Sequence, residues 1–436
     1  RRTSLARGIV RVLRTSILDP SSLDVVLDED MRERGSLARG ADRTRLVIRG
    51  PDTLAHLLFP PSADAFADAY LRGDLDIEGD VTAAVAAAGS LDPRRLRATG
   101  IRRLFRWGIE LRRGTPAPRP LVRVAGLSGR RHSRARDMEA VRFHYDVGEA
   151  FYESWLDRRL TYSCGYFPDG TADSDAATVL DEAQDAKLGL IARKLRVKAS
   201  TRLLDIGSGW GSLVQFVAEQ HGVEAVGVTL SQQQSDEANS RLHDAGLAHL
   251  ARTEVRDYRD LAELGSFDVI ASVGMFEHVG QAHLSAYFGA AYEVLQPGGL
   301  FLNHGIATAR RMGSRLCRGG PASPGRFVER YVFPDGELVT IEEAVRVARR
   351  AGFEVIDVQS LRPHYALTLA AWVARLEDRW SAAVAAAGEE VARTWRLYLS
   401  AARLGFEQGN LDVYQMLLAK PVGHGVPAKL PLRPWW

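Results

Sequence analysis

Cysteine is scarce in this 436-residue chain: there are two, Cys164 and Cys317, far apart and in no Cys-x-x-Cys pattern. Neither a disulfide-stapled scaffold nor a zinc ribbon can be built from them, and such usage fits a reducing cytosol. No apolar run approaches the roughly 18 residues that a membrane-spanning helix needs. The Arg-rich first residues hold no uninterrupted apolar stretch of the kind a secretion signal carries. With 46% hydrophobic and 25% charged residues, the chain is neither a disordered tail nor a collagen-like repeat. The expectation is a soluble, cytoplasmic protein, associated at most peripherally with the inner face of a membrane.

Lysine is also rare, only five of the 57 basic residues, so the positive charge is almost all arginine. The formal net charge of +3 argues against a general nucleic-acid binder. That average hides an asymmetry. Between Pro93 and Arg142 stand fifteen arginines against three acids, Glu110, Asp137 and Glu139, a local charge of +12 that leaves −9 for the rest. Arg102, Arg103, Arg106, Arg112 and Arg113 are interleaved with Leu96, Ile101, Leu104, Phe105, Trp107 and Leu111. An interfacial helix on anionic lipid uses this pattern. A solvated linker in an Arg-biased chain is the competing reading.

Three regions are expected: a small α+β domain over residues 1–92, the basic stretch 93–142, and a larger domain over 143–436. In the last, short buried strands alternate with amphipathic helices, the signature of a doubly wound parallel sheet with its ligand crevice at the carboxyl ends of the strands. Strands are predicted at 202–206, 225–229, 252–258, 267–273, 300–306 and 353–359. Helices are predicted between them, one of them capped by Ser231.

The first of these strands runs into Gly207-Ser208-Gly209-Trp210-Gly211 and then a helix. Glycine lets the backbone take φ > 0 and approach a ligand closely. The GxGxG spacing, with Pro297-Gly298-Gly299 before the fifth strand, suits S-adenosylmethionine better than a dinucleotide. NAD(P) and a purely structural turn remain as alternatives.

Further segments carry a resemblance. They are Phe143-His144-Tyr145-Asp146-Val147-Gly148, Leu160-Thr161-Tyr162-Ser163-Cys164-Gly165-Tyr166-Phe167, Ser272-Val273-Gly274-Met275-Phe276-Glu277-His278-Val279-Gly280, Tyr331-Val332-Phe333-Pro334, His364-Tyr365-Ala366 and Tyr414-Gln415-Met416-Leu417-Leu418. On these the chain resembles the cyclopropane-fatty-acyl-phospholipid synthase family over residues 140–420. A weaker likeness at residues 69–76 matches the family's accessory domain.

The resemblance implies a Rossmann-like class I methyltransferase sheet behind a small accessory domain. It implies methyl transfer from S-adenosylmethionine to the cis double bond of an unsaturated phospholipid acyl chain at an anionic membrane surface. A carbocation would then lose a proton from the new methyl and close a cyclopropane, with bound bicarbonate as the base. Glu277, His304 and Tyr365 would hold the bicarbonate, with backbone groups at Cys164 and Ile306. Asp205, Gly207, Gly209, Thr229, Leu230, Gln234, Asp257, Tyr258, Tyr162 and Ser163 would contact the cofactor, the last two at the methionine carboxylate. Aromatic faces at Tyr166, Phe276 and Tyr365 could shield a cation. No metal is implied, and a homodimer is expected from the resemblance alone.

Taken singly, these residues have plainer readings. Glu277 reads as an acid at a helix start, His304 as a satisfied buried histidine, Cys164 as a small buried hydrophobe, Tyr365 as core and Gln234 as surface. Two positions depart from the family pattern: Ser208 replaces a common cysteine, and Ala402 stands where many members carry one. The product stays open between a cyclopropane and a methylene branch formed after a hydride shift. A small-molecule methyltransferase and a non-catalytic acyl-binding protein are the alternatives from other classes.

Overall fold

Along a strand, successive side chains point to opposite faces, and the residues around Asp205 are apolar on both. Leu204 and Ile206 enter one buried cluster with Val226, Ile270, Phe301 and Met416. Leu203 enters another with Ala225, Val269, Leu302 and Leu417. A sheet covered on both faces is the form that βαβ crossovers build. The computed structural model describes residues 2–16, 23–28, 44–58, 62–89, 98–309, 325–423 and 426–436. The first five residues of the basic stretch, Pro93 to Arg97, and Cys317 lie outside the described residues.

The chain forms two compact units, each assembled from separate stretches. One takes residues 1–125, 313–332 and 376–404; the other takes 126–312, 333–375 and 405–436. Among the described residues the smaller unit holds three strands, β1 (Leu23–Leu27), β2 (Thr44–Ile48) and β3 (Leu75–Glu78). β1 and β2 pair in parallel, and β3 pairs antiparallel with β2. Its interior contains an arginine: Arg396, 1% exposed, pairs with Glu377 at 2.5 Å. Arg396 also donates to the Tyr70 hydroxyl and the Ile77 carbonyl, both at 3.0 Å. A charge so deeply buried is tolerable only with partners of this kind.

In the same unit part of the basic stretch forms the helix Ala98–Arg112, whereas its residues from Gly126 on belong to the other unit, where the helix Arg134–Tyr145 begins. Leu111 is fully buried on the inner side of Ala98–Arg112. Arg102, Arg103, Phe105, Arg106, Ile109 and Arg112 are exposed. Arg103 lies over the Trp107 ring, 5.2 Å from its centroid.

The larger unit is the doubly wound sheet. Its strands are β4 (Arg202–Ile206), β5 (Glu224–Thr229), β6 (Ala251–Val255), β7 (Phe267–Val273), β8 (Leu295–Thr308), β9 (Glu354–Ser360) and β10 (Leu411–Ala419). The spatial order is β6-β5-β4-β7-β8-β10-β9. β10, which the periodicity does not reveal, inserts antiparallel between β8 and β9. Order reverses between β4 and β7, so the crevice opens at the carboxyl end of β4. The strand expected to reach Tyr258 ends at Val255; Asp257 instead caps a 3₁₀ helix, Tyr258–Leu264, by accepting the Arg259 N–H. Among the described residues no helix is long and apolar enough to cross a membrane.

Candidate active site

The crevice begins with the turn after β4. Gly207 has φ +85°, and a Cβ there would lie 2.6 Å from Met275, so only glycine fits. The Gly207 and Ser208 N–H groups donate to the Val228 carbonyl at 2.8 and 2.9 Å, tying the loop to β5. The cleft above it is lined by Asp205, Gly207, Gly209, Thr229, Leu230, Gln234, Tyr258, Tyr162 and Ser163. Of the expected cofactor residues, Asp257 does not line it. The Asp257 carboxylate is committed to its cap and to Arg259, 3.1 Å away.

The polar groups of this wall are only half used. Thr229 Oγ1 donates to Gln234 Oε1 at 2.8 Å. Gln234 Nε2, Asp205 Oδ1 and Ser208 Oγ are buried without a hydrogen-bond partner. Burial pushes Asp205 up to about 7, against the pull of Lys187. Buried polar groups are almost always paired, so unpaired ones in a cleft mark the place of a polar ligand. An acceptor at Asp205 and an amide donor at Gln234 fit a ligand carrying hydroxyls and an ammonium, as S-adenosylmethionine does.

The five expected catalytic residues do not line this cleft; contacts through β8 and β10 link them. Glu277 sits in the turn Phe276–His278 that follows β7. Its Oε1 accepts the Ile306 N–H at 2.6 Å, while Oε2 is buried without a partner. His304 lies two residues earlier on β8 and so on the same face as Ile306. Gln415, its register partner on β10, places Nε2 3.3 Å from His304 Nδ1. An amide nitrogen can only donate, so Nδ1 accepts and the ring proton falls on Nε2, which has no partner.

Ile306 pairs with Val413 on β10, and the Val413 carbonyl accepts the Leu361 N–H at 2.8 Å. Leu361 in turn meets both remaining residues: its carbonyl accepts the Tyr365 N–H at 3.0 Å and lies 3.8 Å from Cys164 Sγ. The Tyr365 ring packs on Phe406, 4.6 Å between centroids.

Burial sets the charges here. It raises Glu277 to about 7 and lowers His304 to about 3, so the imidazole is neutral at physiological pH. Burial also pushes the Cys164 thiol well above its usual range, which makes it a poor nucleophile. Glu277 Oε2 is left as an open acceptor and His304 Nε2 as an open donor. Tyr162 and Ser163 face the cofactor cleft and Cys164 faces Leu361, so one short segment joins the two clusters.

Sequence reasoning passed over several residues of the cleft wall. Tyr145, Trp210 and His278 line it, and burial lowers His278 to about 4. Lys187, 1% exposed, lines it too and donates to Ser163 Oγ at 2.9 Å. A signal was present: Lys187 is one of five lysines and falls at i+4 from Ala183 and i−4 from Ile191, on the apolar face of the helix Leu180–Lys194.

The chain is similar to several known proteins. A family model described as mycolic acid cyclopropane synthetase matches residues 132–416. A probable fatty acid methyltransferase of Pseudomonas putida is 37% identical over 382 residues, 87% of this chain and 88% of that protein. The cyclopropane-fatty-acyl-phospholipid synthase of Escherichia coli K12 is 32% identical over 283 residues, 65% of this chain and 68% of that one. The crystal structure of the mycolic acid cyclopropane synthase CmaA1 complexed with SAH and CTAB superposes with a TM-score of 0.59 at 33% identity. That match covers 65% of this chain and 98% of the other.

Proposed function

The chain belongs to the mycolic acid cyclopropane synthetase family of S-adenosylmethionine-dependent lipid methyltransferases, and from that premise we propose that it methylates the cis double bond of an unsaturated phospholipid acyl chain. The observation that supports the reading is the two buried polar atoms left open on residues at β8, Oε2 of Glu277, which is held by the Ile306 N–H, and Nε2 of His304.

An alkene has no proton whose removal would activate it. The site's work is to align the double bond with the sulfonium methyl, exclude water and remove a proton afterwards. The double bond takes the methyl, S-adenosylhomocysteine leaves, and positive charge appears on the other alkene carbon. Glu277, His304 and Tyr365, with backbone groups at Cys164 and Ile306, would hold a bicarbonate ion. When bound, it supplies the base that accepts the proton lost from the new methyl. That loss closes a cyclopropane. A hydride shift before proton loss would give a methylene branch instead.

The substrate is embedded in a bilayer, and the helix Ala98–Arg112 supplies the surface we assign to reach it. Its arginines match an anionic headgroup layer, and Phe105 and Ile109, 58% and 38% exposed, would enter the interface. The test of function is incubation of the protein with methyl-labelled S-adenosylmethionine and vesicles of unsaturated phospholipid. Label in the acyl chains is the expected result. Label confined to water-soluble acceptors would refute it. Fragmentation of the labelled lipid separates cyclopropane from methylene branch, which have equal mass.

A further inference from the structure

Lys187 is a buried cation that the catalytic scheme does not use. An ammonium carries three donors. One is spent on Ser163 Oγ at 2.9 Å, and Lys187 makes no other hydrogen bond among the described residues. Ser163 Oγ accepts this bond, so the Ser163 hydroxyl proton must point elsewhere, and no acceptor for it stands among the described residues. Two ammonium donors and one hydroxyl donor are therefore open, on residues that both line the cofactor cleft.

The acids nearby do not absorb them. Asp157 takes the Thr161 and Arg159 N–H groups at 2.7 and 3.0 Å. Asp205 acts on Lys187 through its charge without a hydrogen bond to it. A cation buried with open donors is costly until an anion meets it. The cleft thus presents a buried cation at Lys187 and a buried acid at Asp205. A zwitterionic α-amino acid group satisfies both, whereas a pyrophosphate would set negative charge against Asp205.

We propose that Lys187 is the cationic counter-group for the α-carboxylate of S-adenosylmethionine, acting directly and through the Ser163 hydroxyl. This rests on the reading of the cleft as an S-adenosylmethionine site. It also gives Ser163 a defined orientation, with its oxygen held by Lys187 and its proton presented to the ligand.

Two ligands test it by calorimetry on the full chain: S-adenosylhomocysteine and 5′-methylthioadenosine, which lacks the amino-acid part. Lys187→Met should weaken S-adenosylhomocysteine binding by about 10- to 100-fold, the range for losing hydrogen bonds to a charged group. It should leave 5′-methylthioadenosine binding within about twofold of wild type. Ser163→Ala should show a smaller loss with the same ligand selectivity. Unchanged S-adenosylhomocysteine binding, or equal loss of both ligands, overturns the assignment. Should the wild-type chain bind neither ligand, the cofactor reading itself fails and the assignment falls with it.

Discussion

Glu277 Oε1 accepts the Ile306 N–H at 2.6 Å, which fixes the carboxylate against β8 and leaves Oε2 buried and open. Glu277→Gln keeps the shape of the side chain and removes its capacity to carry charge. Turnover should fall by about 100-fold or more, within the range for losing a positioned acid–base group. S-adenosylhomocysteine affinity should stay near wild type. Steady-state kinetics with calorimetry checks this, and undiminished turnover would remove Glu277 from the chemistry.

Glu277 also makes stability depend on pH. Burial lifts it from the ordinary 4.5 to about 7. Between those values the folded chain holds a proton that the unfolded chain has released, so folding becomes less favourable as pH rises through this window. Asp205, raised from 3.8 to about 7, adds in the same direction. Melting temperatures measured from pH 5 to 7.5 should decline less steeply in Glu277→Gln than in wild type. Parallel curves would contradict the burial seen here.

Gly207→Ala combines φ +85° with a Cβ 2.6 Å from Met275. A strained backbone position costs about 1–3 kcal/mol, and the loop must shift to relieve the contact. Lower denaturation midpoints and weaker S-adenosylhomocysteine binding should appear together. An alanine variant that binds as wild type does would show that the loop does not touch the cofactor.

In the smaller unit, Arg396→Met removes the buried guanidinium that pairs with the largely buried Glu377 carboxylate at 2.5 Å. Breaking a buried pair from one side costs about 3–5 kcal/mol. Chemical denaturation should show a loss of that order, partly restored by also changing Glu377 to Gln.

Replacing Arg102, Arg103, Arg106, Arg112 and Arg113 together by Gln should weaken sedimentation with anionic vesicles. At about 1 kcal/mol per basic residue near such a surface, the loss should be at least tenfold and should shrink with added salt. S-adenosylhomocysteine binding should not change. Vesicle binding that survives intact would reduce this helix to a linker.

Much of this was legible in the chain itself. The runs Arg202–Ile206 and Phe267–Val273 are strands as their apolar content predicts, and Ser231 caps its helix by accepting the Gln234 N–H. These are local facts of hydrophobic period and cap chemistry. The motif Tyr414-Gln415-Met416-Leu417-Leu418 was visible as a resemblance but not as a strand. Its place between β8 and β9 depends on pairing with residues far away in the chain, such as Gln415 with His304 on one side and with Gln359 on the other. Residues 376–404 likewise join the unit that begins the chain through contacts such as Arg393 to Asp76 at 3.2 Å. No periodicity reports such a contact.

The sequence by itself determined the strands Arg202–Ile206 and Phe267–Val273, the glycine turn between strand and helix and the residue types the chemistry requires, because each follows from short-range pattern. Only the tertiary structure decided which polar atoms are left unpaired: Oε2 of Glu277, Nε2 of His304, Oδ1 of Asp205 and the spare donors of Lys187. Pairing and burial are made by residues distant in the chain, and burial turns an ordinary acid, imidazole or amine into one with a shifted charge and an open valence toward a ligand.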